Sequence, residues 1–85
     1  QYYKKVIALD RNNYNGNFEL GLMYLKDYLN NPKAEYQQLA QQYLLKANEI
    51  NPSAVNALKA LAILFEKSGN TFQYERVQNQ LNKDI

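Results

Sequence analysis

Tyr43-Leu44-Leu45-Lys46-Ala47-Asn48-Glu49-Ile50-Asn51-Pro52 echoes an earlier stretch, Tyr2-Tyr3-Lys4-Lys5-Val6-Ile7-Ala8-Leu9-Asp10-Arg11, at an offset of 41 residues. Tyr43 pairs with Tyr2, Lys46 with Lys5, Ala47 with Val6, Ile50 with Leu9 and Asn51 with Asp10. Each stretch is followed by a segment whose apolar residues recur at helical spacing. Those following segments also match, since Leu20-Gly21 with Tyr24 corresponds to Leu61-Ala62 with Phe65. A unit that ends one helix and opens the next, and then returns, is a repeated helix pair.

Working outward, the chain breaks at Asp10-Arg11-Asn12-Asn13, Asn30-Asn31-Pro32, Asn51-Pro52-Ser53 and Ser68-Gly69-Asn70. Asn, Ser and Thr at these breaks are suited to capping a following helix, Pro32 and Pro52 suit a helix entry, and Gly69 suits a left-handed helix end. Apolar residues between the breaks do not alternate, so the expectation is an all-α chain of about five helices near 2–10, 14–29, 33–50, 54–67 and 71–83.

At these residues the chain resembles the tetratricopeptide repeat family. Gly21 and Ala62 stand at a position where a small residue lets helices approach, and Tyr24 and Phe65 where an aromatic fills the layer below. Ala40, Leu44, Ala47 and Pro52 complete the pattern in a second helix. The resemblance implies antiparallel helix-turn-helix repeats stacked as a right-handed α-solenoid. It divides the chain into the second helix of a truncated repeat at 1–13, a full repeat at 14–54 and a last repeat at 55–85. Asn17 departs from the pattern where a bulky residue is usual, and Tyr74 and Gln78 replace an alanine and a large apolar residue. The closest likeness is to the C-terminal repeats of longer bacterial tetratricopeptide proteins, some of which work in the cell envelope. Compartment stays open.

The 41-residue offset exceeds the family's period of roughly 34 by about seven residues. The extra residues fall around Asp27 to Gln38, in the turn between two helices. Shared between them, they lengthen each helix by about one turn, with Leu29 and Tyr36 expected to pack across the extension. A loose loop at Asn30-Asn31-Pro32 is the alternative.

The two ends differ. Tyr74, Val77 and Leu81 make one narrow apolar stripe on an otherwise polar last helix, as in the capping helices that close repeat arrays. Tyr2, Tyr3, Val6, Ile7 and Leu9 cover more of the first helix than one neighbour buries, so further repeats are expected before Gln1. Without them, this helix is expected either to pair with a second copy of the chain or to remain an exposed patch of the kind that promotes association.

In the family resembled, first helices line the inside of the curve and form a groove for a peptide or protein. The inward positions fall on Asn15, Phe18, Leu22, Leu25 and Lys26, with Leu29 continuing the stripe, and on Asn56, Lys59, Ile63, Glu66 and Lys67. In one reading Phe18, Leu22, Leu25 and Leu29 receive apolar side chains of a partner while Asn56 and Lys59 hold its polar groups. In the other, the apolar stripe is core. Some members of the family clamp a C-terminal carboxylate with a Lys and an Asn on the first groove helix. Phe18 and Leu22 occupy those positions, so the clamp is absent.

Composition narrows the function classes. The 85 residues contain neither Cys nor His, which removes thiolate chemistry, the commonest general base and the commonest transition-metal ligand. Ser53, Ser68 and Thr71 lie at helix boundaries where capping explains them. No enzyme and no cofactor is therefore expected. Ten basic and eight acidic residues are dispersed, giving a formal charge of +2 and no basic stripe for nucleic acid. Eight of the eleven aromatics are Tyr, but Tyr2, Tyr3, Tyr24, Tyr43 and Tyr74 fall on repeat-packing positions rather than on a base-stacking platform. No apolar run is long enough to span a bilayer. The expected role is a protein–protein interaction scaffold, with structural capping or self-association of a larger repeat protein as the alternative.

Overall fold

The computed structural model describes residues 13–83, and the helix expected at 2–10, with its apolar face, lies outside the described residues. Four α-helices follow one another without a strand among the described residues: α1 (Tyr14–Asn30), α2 (Ala34–Ile50), α3 (Val55–Lys67) and α4 (Thr71–Lys83).

The boundaries have local causes. Asn13 is extended and its side chain accepts from the Gly16 N–H at 2.7 Å, which opens α1 by satisfying one of the orphan donors of its first turn. Asn31 and Asn51 each precede a proline, and the proline ring disfavours helical backbone in the residue before it. Both accordingly leave the helical region, Asn31 extended at φ −147° and Asn51 non-helical at φ −137°, and close α1 and α2. Gly69 ends α3 at φ +76°, while the Asn70 N–H bonds to the Phe65 carbonyl at 2.9 Å and the Gly69 N–H to that of Glu66 at 3.2 Å. This pair of bonds is the Schellman arrangement, and it uses the one residue type without a Cβ penalty at positive φ. Asn70 then caps α4 by accepting from the Gln73 N–H at 3.2 Å. The two middle breaks differ from expectation. Lys33 and Ala54 hold the N-cap positions of α2 and α3 without a side-chain bond. Pro32 and Pro52 lie outside the helices, so they stop the preceding helix rather than open the next.

The expected extension is helical. Helices α1 and α2 have 17 residues each, α3 and α4 have 13 each, and only Asn31, Pro32 and Lys33 join the longer pair. Four residues per helix is one turn, or roughly 6 Å. Leu29, however, does not pack across it: its side chain is 47% exposed, and Tyr28 is buried instead. The core face of α1 runs through Asn17, Gly21 and Tyr28, and a seven-residue step returns to within about 20° of the same face whereas an eight-residue step overshoots it by about 80°. Tyr36 does pack against the core, with the Lys33 ammonium 5.9 Å from its ring centre.

One core links all four helices through Leu25, Tyr28, Ala40, Leu44, Leu58, Leu61, Leu64, Phe65 and Val77. At Gly21 the first two helices pack closely. A Cβ built there lies 2.6 Å from both Cγ and Cδ2 of Leu44 and 3.1 Å from its backbone nitrogen, so no larger residue fits without moving α2. Tyr24 stacks on Tyr43 across the same helix pair, with ring centres 5.8 Å apart and planes 11° apart. Asn17 is the buried polar residue of the core at 2% exposed, and its Nδ2 donates to the Asn13 carbonyl at 2.8 Å. That bond uses the side chain to tie the first turn of α1 to its cap, where bulk alone would only fill space.

Helix contacts follow a simple rule. α1 packs on α2, α2 on α3, α3 on α4, and α1 also touches α3, while no Cα of α2 comes within 8 Å of one in α4 among the described residues. The thinnest Cα extent of the described residues is 14 Å, about the thickness of two helices packed roughly 10 Å apart. In α4, Val77 is buried and Tyr74 and Leu81 are partly buried against the core, which is the expected one-faced stripe. Tyr74 and Gln78, at the positions of the fully buried Ala40 and Leu44, are only half-buried.

Candidate functional site

Helices α1 and α3 are matched at an offset of 41, so the same face of each can be followed residue by residue. On α3 the core takes Ala57, Leu58, Ala60, Leu61, Ala62, Leu64 and Phe65, which leaves Asn56, Lys59, Ile63, Glu66 and Lys67 exposed on the opposite side. On α1 the corresponding face carries exposed Asn15 and Lys26, half-buried Phe18 and Leu22, and exposed Leu29. Ile63 is 44% exposed, close to the value for Leu29.

Leu25 does not belong to this surface. It is 4% exposed and part of the core, although it was expected to face a groove. At about 100° per residue, position 25 lies on the edge of the stripe nearest Gly21 and Tyr28, where α1 turns toward its neighbours. Its counterpart Glu66 is in water. The same register position is thus sealed on α1 and open on α3.

At the upper end of the face Tyr14 stacks on Phe18, with centres 5.7 Å apart and planes 10° apart. The Tyr14 hydroxyl is buried without a hydrogen-bond partner among the described residues, and burial pushes its pKa above the usual tyrosine value.

The structure brings part of the expected surface together in a way the sequence reading missed. Lys59, Ile63 and Glu66 border a depression of about 230 Å³ whose other wall is Tyr74, Gln78 and Leu81 of α4. The signal for that wall was present: 74, 78 and 81 repeat the spacing of Ala40, Leu44 and Ala47, all fully buried in the preceding helix pair. The site residues therefore form two neighbouring features, an exposed stripe along α1 and α3 and an open seat between α3 and α4.

Among the described residues there is no cluster of three or more Asp, Glu, His or Cys able to hold a metal ion, and no helix long and apolar enough to cross a membrane. Comparison with protein families, curated proteins and solved structures finds no match to the chain.

Proposed function

We propose that the chain is part of a tetratricopeptide-type array, a right-handed α-solenoid of about five helices in this stretch, and that it holds a peptide or protein on the exposed face of its first helices. The observation that carries this reading is the matched pair of faces. At equivalent positions α1 and α3 carry half-buried Leu22, which also packs against the core, and exposed Ile63, with exposed Leu29 further along α1, beside the polar Asn15, Asn56, Lys59 and Glu66. Aliphatic side chains ringed by polar ones offer contact area together with orientation, and stacked first helices make such a strip continuous.

The test is a selection of displayed peptides on the immobilised chain, followed by affinity measurement on Leu22→Glu and Ile63→Glu variants. Both residues are outside the fully buried core, so the variants are expected to fold. Peptides held by this face lose at least about tenfold in affinity on either change. Peptides that bind both variants as well as the parent sink the assignment.

A second reading, continuation or self-association of the array, is favoured by the open seat between α3 and α4. In the preceding pair the corresponding second-helix residues are covered, and α3 packs on both α1 and α2. A helix docking beside Tyr74, Gln78 and Leu81 would extend the same packing. Molar mass measured across concentration, with Leu81→Glu as control, tests this. A strictly monomeric parent removes self-association.

A further inference from the structure

The back of the molecule carries a larger recess than the front. Because the backbones of α2 and α4 stay more than 8 Å apart, Cα to Cα, a cleft of about 620 Å³ lies between them, in the range of about 300–1,000 Å³ common for ligand sites. Its floor is α3, through Leu58, Leu61 and Phe65, joined by Val77 of α4. Its walls bear four carboxamides, Asn48, Gln73, Asn79 and Gln80, and a single ionisable group, Arg76. Exposed Leu45 lines the α2 wall, and Phe72, outside the lining at 69% exposed, lies under the Arg76 guanidinium, 5.9 Å from ring centre to Cζ.

Each feature restricts the occupant. The recess is too small for the roughly 800 Å² per partner of a folded protein's interface, and suits a short segment. A helix satisfies its own backbone, whereas an extended chain carries unpaired N–H and C=O groups that carboxamides can match as both donors and acceptors. Oδ1 of Asn48 is already buried without a donor among the described residues, and a peptide N–H satisfies it once the carboxamide turns toward the cleft. The only charge on the walls is positive and is held over an aromatic ring, so it faces a carboxylate with part of its orientation already set. The apolar floor and Leu45 call for an aliphatic or aromatic side chain.

We propose that this cleft binds an extended peptide segment in which an acidic residue is followed closely by a large apolar one. The site is independent of the front face. It recognises the main chain through Asn48, Gln73, Asn79 and Gln80, the carboxylate through Arg76 and the apolar side chain through the α3 floor.

The test is a titration of the isotopically labelled chain, observed by its Asn and Gln side-chain amide resonances, with the blocked pentapeptide SDLFS. Saturable shifts are expected at the four carboxamides. The lysine counterpart SKLFS, and SDLFS carrying an N-methylated leucine, should each bind at least about tenfold more weakly. So should Arg76→Glu with SDLFS, its fold verified from the backbone spectrum and Arg76→Gln serving as a milder second variant. Leu22→Glu on the front face should leave the titration unchanged, which separates this site from the proposed function. The proposal is overturned by any of four results: no saturable shift at millimolar peptide, equal binding of SKLFS, unchanged binding of the N-methylated peptide, or shifts on the front face. It is also overturned if the same carboxamides shift when the protein alone is concentrated, which would make a second copy the occupant.

Discussion

Replacing Gly21 by alanine adds one methyl group where α1 packs tightly on Leu44 of α2, and its effect can be worked from opposing terms. In an exposed helix interior, Gly→Ala gains about 1 kcal/mol from helix propensity and reduced freedom of the unfolded chain. Here the new Cβ would lie 2.6 Å from Cγ and Cδ2 of Leu44 and 3.1 Å from its backbone nitrogen. Leu44 is fully buried, so it cannot swing into solvent, and the backbone contact cannot be relieved by a rotamer change. Overpacking of this kind costs typically 1–3 kcal/mol, and the upper end applies when the struck side chain has no escape. The net expectation is a loss of about 2 kcal/mol, or roughly 8–16 °C in Tm for a chain of this size. Circular dichroism at 222 nm during thermal and urea unfolding reads it. The cause is isolated by Leu44→Ala: the pair of changes should cost at least about 1 kcal/mol less than the sum of the single ones. The second helix pair is an internal contrast, because it carries Ala62 where Gly21 stands and the half-buried Gln78 where Leu44 stands. A Gly21→Ala protein as stable as the parent, or additive behaviour with Leu44→Ala, would refute the close approach.

Three further outcomes follow from particular residues. Leu25→Ala should cost about 2–4 kcal/mol in urea unfolding while Leu29→Ala stays within about 0.5 kcal/mol, because the first leaves a core cavity and the second trims an exposed side chain. Gly69→Ala should cost about 1 kcal/mol although nothing lies within 4 Å of its added Cβ, because the penalty is the positive φ of the Schellman turn and not a clash. Tyr14→Phe should raise stability at neutral pH by about 1 kcal/mol by removing a buried hydroxyl that has no hydrogen-bond partner among the described residues. It should also change the alkaline limb. The folded-state pKa of Tyr14 is raised, so the native state favours the neutral phenol below the ordinary tyrosine pKa, and this contribution is lost as pH climbs through the folded value. Urea titrations at pH 8 and pH 11 should therefore show a smaller loss for the phenylalanine variant than for the parent.

Local chemistry made much of the fold legible. Asn-Pro at two breaks and Gly69 at a third fix where helices stop, because those residues restrict or permit backbone angles regardless of tertiary context. The inserted residues were legible as helix because their number came close to two turns shared between two helices. Side-chain direction at the edge of a stripe was less legible. Leu25 and Leu29 belong to one apolar row by spacing, yet Leu25 is sealed and Leu29 is wet, since the row straddles the boundary between the core face and the open face of α1. Hydrophobicity alone does not place that boundary; it depends on how closely α2 and α3 approach, and Gly21 governs that on the α2 side. The α4 wall of the front depression was visible as a repeated spacing, but its consequence required knowing that Ala40, Leu44 and Ala47 are all covered in the preceding pair. The back cleft left no mark in the periodicity at all. It arises because the backbones of α2 and α4 stay apart, which is a property of the packing of three helices and not of any one of them.

The most direct test of the proposed role is a backbone amide titration of the labelled chain with a peptide selected on it. If the first helices hold partners, the perturbed amides cluster at Phe18, Leu22 and Leu29 on α1 and at Asn56, Lys59 and Ile63 on α3, and Ile63→Glu abolishes the shifts while the rest of the spectrum is retained. Shifts that avoid both helices, or that survive Ile63→Glu undiminished, would contradict it.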